Sequence, residues 1–283
     1  MRNLLLIACS FLLSWSSLPV QPASAVVVNG QDFALLAQNQ INLTNGPITI
    51  NGNVGVNNPG GLLKLGGINV EIDGTAISDS TILNTGSTIN GTLETNHLSG
   101  NGTATSVQPA PPLPFANPFP SVPGTDPCVN SAPMMAVPAG QSVTLPSGSC
   151  FSQLRLGDNA TVTLAAGGTY NFGSVQMLHG STLASAGPGT ADINVKSTFS
   201  TEGSNVVDNV NVLDSFNGSN LAIAIGQHSK ITGNLEAPNA IIHIHDGSNL
   251  FGEVVGLVIT IEPSMVTVSP PSCCPAGQEC KPI

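Results

Sequence analysis

Charge is the scarcest property of this chain. Charged residues occupy 8% of its 283 positions, against about 25% in an ordinary soluble domain. Six Lys and Arg stand against sixteen Asp and Glu, which excludes a nucleic-acid binder, because so few cations neutralise few phosphates. Helix surfaces are usually built from Glu, Lys, Arg and Gln, so a helical bundle is disfavoured as well. Aromatic residues make up 4%, with one Trp and one Tyr, and leave little on which sugars or bases could stack. No long window places apolar residues at i, i+3, i+4 and i+7. No Ser-His-Asp arrangement and no phosphate-cradling Gly loop is present. Apolar residues, in contrast, are plentiful at 41%, enough for a core. Disorder needs low hydrophobicity together with high net charge, and here the hydrophobicity is ordinary.

The N-terminus reads as an address. Arg2 is followed by the apolar stretch Leu4–Leu13, and Ala23-Ser24-Ala25 has the small-residue spacing of a cleavage site. Residues 1–25 are expected to be a signal peptide, with the mature chain starting at Val26. That chain keeps Lys64, Arg155, Lys196, Lys230 and Lys281. No later run approaches the roughly 20 residues of a membrane span. The expected setting is therefore secreted: extracellular, cell-surface or periplasmic. In an oxidising compartment Cys128, Cys150, Cys273, Cys274 and Cys280 are disulfide candidates. Cys128 with Cys150 would close a local loop, and Cys280 can pair with Cys273 or Cys274. Zinc is disfavoured in the tail, where no His lies near the three cysteines.

Composition divides the mature chain. Residues 26–107 are rich in Asn, Thr and Gly. Residues 108–138 hold a Pro-rich segment that forbids regular helix and central strand. Residues 139–266 return to the first texture, and 267–283 form a Cys-rich tail. Outside the Pro-rich segment short alternating runs dominate, such as Ile48-Thr49-Ile50, Val143-Thr144-Leu145, Thr161-Val162-Thr163-Leu164 and Val258-Ile259-Thr260-Ile261. Gly, Asn, Asp or Ser bounds them, as expected of strands between tight turns. Over Gln31–Gln38 the pattern predicts a short helix or turn.

The turns repeat. Gly or His, then Ser, then a polar residue, then an aliphatic one recurs as Gly86-Ser87-Thr88-Ile89, Gly180-Ser181-Thr182-Leu183, Gly203-Ser204-Asn205-Val206, His228-Ser229-Lys230-Ile231 and Gly247-Ser248-Asn249-Leu250, with a looser copy at Gly157. The starts at 157, 180, 203, 228 and 247 are 23, 23, 25 and 19 residues apart, and a period of about this size signals a solenoid. Each coil is then two or three short strands joined by bends, with aliphatic residues inward and Ser, Thr or Asn outward. The fold class expected is all-β: a right-handed parallel β-solenoid (β-helix) with a Pro-rich strap and a Cys-rich C-terminal tail. A β-sandwich is the alternative. The Pro-rich segment straps a continuous stack or links two pieces, and the strap is preferred. Residues 31–38 would cap one end and the tail the other.

The stretch from Gly167-Gly168-Thr169-Tyr170 to Ile261 contains Ala237-Pro238-Asn239-Ala240 and then Gly252-Glu253-Val254-Val255-Gly256. It resembles a group of secreted bacterial right-handed β-helix domains of uncharacterised function, whose final coils carry an Ala-Pro-Asn-Ala step and a Gly-x-Val-Val-Gly step. Ice-binding-like solenoids are more distant in texture. Leu235-Glu236 and the Cys-rich tail depart from the pattern. The resemblance implies a fold and an exported setting and transfers no catalytic residue.

Four groups of residues are candidate sites by their chemistry. His243 and His245 share one face of a strand, and Asp246 follows them. A coil near 19 residues would put Ala224 and Gly226 on one side, with Glu262 and Ser264 on the other, so that Glu262 completes a metal set; two solvated His are the favoured reading. Glu71 with Asp73, and Asp208 with Asp214, are the carboxylate pairs a sugar-cleaving enzyme would use, but the basic residues are dispersed and solvated turn carboxylates are favoured. Thr161-x-Thr163 and an isolated Thr267 fall short of the ladder that ice binding needs. The reading is a structural or surface-interaction protein of scaffold or adhesion type, self-assembling if an end is uncapped. It takes no cofactor or metal and has no catalytic residue. Its partners would be a second copy or a cell-surface glycan. A polysaccharide-binding or polysaccharide-cleaving β-helix protein is the alternative, and an ice-binding protein the second.

Overall fold

The structure is a computed structural model that describes residues 27–28, 31–114, 128–187, 189–214, 221–262 and 265–269. It is an all-β, parallel β-solenoid of about 11 turns. A 25-stranded sheet winds around the core, and the described residues contain no helix. Stacked parallel rungs replace the face-packed sheets of a sandwich. The three flat sides are called here faces one, two and three.

Alternation dictates the packing. On a strand every second side chain turns inward, and in-register parallel pairing places equivalent residues above one another. On face one Leu154, Val175, Phe199, Ile223, Ile242 and Ile259 follow one another up the column. On face two the column runs Val162, Leu183, Val207, Ile231, Leu250 and Val268. On face three Tyr170, Ile193, Val212, Leu235 and Val254 do the same. All of these side chains are buried. Each contributes roughly 1.5–3 kcal/mol of transfer free energy. The one Tyr is accommodated because its hydroxyl donates to the Leu145 carbonyl at 3.1 Å and accepts from the Ala165 N–H at 2.6 Å.

The bends explain the repeated motif. Asn159, Gly180, Ser204, His228 and Gly247 all have positive φ. At each, the following residue (Ala160, Ser181, Asn205, Ser229 or Ser248) is fully buried. The copy at 203 is therefore shifted by one: Ser204 takes the left-handed position and Val207, not Val206, is the inward aliphatic. At Gly247 an added Cβ would stand 2.1 Å from Nδ1 of His228, so its glycine serves both the turn and the close approach of the next bend. The buried polar groups form a ladder. Asn205 Nδ2 donates to Ser181 Oγ at 2.9 Å, Asn205 Oδ1 accepts from the Gly203 N–H at 2.7 Å, and Ser248 Oγ donates to the Gly226 carbonyl at 3.0 Å.

The stacking order departs from chain order. Strand Gln31–Thr44 is neither helix nor cap. It lies inside the column, with Leu35–Ala37 and Gln40–Leu43 against strand Val254–Ile261 on one side and strands Asn53–Val56 and Leu62–Gly66 on the other. Alternating inward Phe-free positions, Leu35, Ala37, Ile41 and Leu43, suit a strand buried between rungs, which overrides the local helical spacing. Strand Val266–Ser269 likewise pairs with strand Ile48–Asn51. Residues 31–108 thus continue the column that 134–269 begins. Strand Val266–Ser269 lies mid-column, and the tail expected to cap an end lies outside the described residues. Cys273, Cys274 and Cys280 lie outside the described residues, as does residues 1–25.

Candidate interaction surface

Outward residues form columns just as inward ones do, with neighbours about 4.8 Å apart. Which of these columns faces solvent is decided by the two described ends of the Pro-rich segment. Leu113 at one end and Cys128 at the other lie against face three, whereas Met134–Val137 is already a strand of face one. Phe33, Leu36, Ile77 and Val255 make a second, outer apolar cluster on face three, and Leu113 packs against it. Gly55 leaves the room: a Cβ at that position would meet Phe33 Cε1 at 2.6 Å. Further along, Cys128 is disulfide-bonded to Cys150. Lys196 Nζ donates to Asn130 Oδ1 at 2.7 Å. Among the described residues, no segment covers faces one and two.

Face two carries an outward column of Ser142, Thr161, Thr182, Val206, Lys230, Asn249, Thr267, Thr49, Glu71, Thr88 and Thr103. Thr144 and Thr163 stand beside its first members. Thr267 is therefore not isolated, since Thr49 and Asn249 flank it. Sequence reasoning missed this because Thr49 and Thr267 belong to opposite ends of the chain. The available signal was the matched triplets Ile48-Thr49-Ile50 and Val266-Thr267-Val268. At the same join Asn51 Nδ2 donates to Ser269 Oγ at 2.9 Å. Lys230 Nζ lies 5.9 Å from the centre of the Phe251 ring.

The two carboxylate pairs differ in their surroundings. Glu71 Oε1 and Asp73 Oδ1 both accept from Asn90 Nδ2 on the next rung. Strand Val210–Leu213 separates Asp208 from Asp214. Asp208 extends the outward side of face two, whereas Asp214 is buried beyond face three. The four described basic residues are dispersed as well. Lys64 and Arg155 sit far apart on face one, Lys196 beside the strap and Lys230 on face two.

On face one His243 is exposed between Ala224 and Thr260. Ala224 stands where the spacing put it, but Glu262 does not. The step from Ile244 to its partner Ile261 is 17 residues (261 − 244), shorter than the expected coil, so Glu262 is level with His245 and its N–H donates to the Ile244 carbonyl at 3.0 Å. Among the described residues no three His, Cys, Asp or Glu side chains gather to hold a metal. Beside the histidine column runs an apolar one of Ile241, Val258 and Leu62, with Gln40 between the last two.

Largely buried on face three, Glu236 is held above the usual carboxylate range. Burial is the main cause; the Asn234 amide, donating at 3.0 Å, opposes it and the charge of Asp192 adds to it.

No protein-family model and no curated protein matches the chain. A solved structure of an ice binding protein from an Antarctic bacterium, Flavobacteriaceae, is similar over 86% of this chain and 81% of its own, at 13% identity and a TM-score of 0.30. A likeness of that size carries no argument about function.

Proposed function

We propose that this is an exported surface-interaction protein that acts by display and has no catalytic activity. The supporting observation is face two, uncovered among the described residues, whose outward column repeats short hydroxyl and amide side chains at strand spacing with Lys230 and Glu71 as its charges. A rigid array of this kind offers a multivalent contact to a partner that also repeats, and a cell-surface or extracellular polysaccharide is the partner of that chemistry. Scattered carboxylates, already engaged by amides, favour binding over cleavage. Export rests on residues 1–25 and on the oxidised pair Cys128–Cys150, since such pairs persist in oxidising compartments.

A glycan array, followed by sedimentation with insoluble polysaccharides, tests the reading. Binding that is weakened when Thr161 and Thr182 are both replaced by Lys supports it. Release of sugar products would overturn it in favour of an enzyme. N-terminal sequencing of the exported protein is expected to start at Val26.

The threonine rows favour a second reading, ice binding, in which Thr161, Thr163 and Thr182, or Thr267 and Thr49, order water at a regular spacing. Val206, Lys230, Asn249 and Glu71 interrupt those rows. Inhibition of ice recrystallisation, abolished by Thr49→Lys, would select this reading over the first.

A further inference from the structure

The column has two ends. Among the described residues, strand Thr103–Gln108 at one end pairs only with strand Ser87–Ser99, and strands Met134–Val137, Ser142–Leu145 and Cys150–Phe151 at the other pair only with the rung above them. Both therefore present unpaired backbone N–H and C=O groups. The inward columns also run out into solvent. Leu98 and Val107 are 47% and 53% exposed at one end. Met135, Val143 and Phe151 are half-buried at the other. Among the described residues no cap covers either end. Charge, one of the devices that blunt an edge, is missing, since residues 97–108 and 134–151 contain no Lys, Arg, Asp or Glu; Pro138 and Pro146 stand between the strands of the second stretch.

We infer that the partner of each end is the opposite end of a second copy, giving head-to-tail stacking into filaments. The molecule already contains such a joint. Residues 31–108 rest on 134–269 where Leu35–Leu43 pair with Val254–Ile261 and Ile48–Ile50 with Val266–Val268. The rungs that meet there are far apart in the chain. A coil end of this cross-section thus accepts a non-consecutive coil through parallel pairing and inward aliphatic contact. Every rung runs in the same sense, so the end at Thr103–Gln108 offers the next rung what strand Val254–Ile261 offers Gln31–Thr44. The contact joins different surfaces and advances along the axis, so it does not close into a ring. It is independent of which ligand face two takes.

The test uses the purified full chain and a Cys273→Ser/Cys274→Ser/Cys280→Ser version, by sedimentation velocity over a concentration series and electron microscopy. Unbranched filaments one column wide, growing with concentration in both proteins, are expected. Leu98→Lys/Val107→Lys blocks one end and Val143→Lys the other. Each blocked protein, with the parent circular dichroism and Tm, is expected to raise the concentration needed for association by at least roughly tenfold. Mixing the two is expected to yield a one-to-one dimer, because each keeps one free end and these are complementary. Monomers at every concentration, association indifferent to both variants, dimers formed by one blocked protein alone, or association that vanishes in the cysteine-free tail would each overturn the inference.

Discussion

At the scale of the residue, the bends carry the most specific chemistry. Asn205 is fully buried yet satisfied, accepting from the Gly203 N–H and donating to the Leu178 carbonyl and to Ser181 Oγ. Asn205→Ala strips those partners without admitting water. A loss of about 2 kcal/mol or more is expected, read by chemical denaturation; a loss below 0.5 kcal/mol, within the range of a neutral surface change, would show that the bend does not need the amide. Glu236 supplies the pH dependence. Its carboxyl is raised in the fold by burial, so folding favours the protonated form. The stability it contributes is complete below the unfolded-state value and is lost as pH rises through the raised one. Glu236→Gln is expected to match the parent Tm in acid and exceed it at pH 7. Equal Tm values at both would remove burial as the cause.

At the scale of the element, each strand touches only the rungs beside it, so damage to an inward column is local in cause. Phe199 sits between Val175 and Ile223 with no exposure. Phe199→Ala is expected to cost about 3–5 kcal/mol, measured from the shift in denaturation midpoint. The strap is held differently, by one disulfide and one apolar cluster. Cys128–Cys150 closes a loop of 22 residues, for which chain entropy gives about 3 kcal/mol. Replacing both cysteines by Ser is expected to cost that much and to speed amide exchange in residues 128–133, leaving the inner rungs protected. Unchanged exchange there would mean that the strap is anchored without the bridge.

At the scale of the whole molecule, one contiguous core runs through both halves of the chain, since residues from Leu35 to Leu93 and from Val137 to Val268 belong to a single buried cluster. Calorimetry is therefore expected to show one cooperative transition. Two transitions, one assignable to residues 31–108, would mean that the joint at Leu35–Leu43 does not couple the halves. The same joint accounts for the limits of the candidate surface as read from sequence. Thr161 and Thr163 were visible as a pair, whereas the row through Thr267 and Thr49 exists only across the joint. His243 was placed correctly over Ala224, but Glu262 was not brought beside it, because a 17-residue step moved the register by two.

The rungs themselves were written locally. Inward aliphatic alternation acts over two residues and a positive-φ bend over one or two, so strands, turns and a low-charge exterior could be read from neighbouring residues alone. Stacking order could not. Every coil end exposes the same backbone pattern and a similar aliphatic interior, so short segments are nearly equivalent as to which coil lies above which. Only long-range fit separated them: Asn51 on Ser269, Leu113 over the Phe33 cluster, and the disulfide on face three. These contacts placed strand Gln31–Thr44 in the middle of the column and covered one face, and among the described residues they left two faces and both ends uncovered.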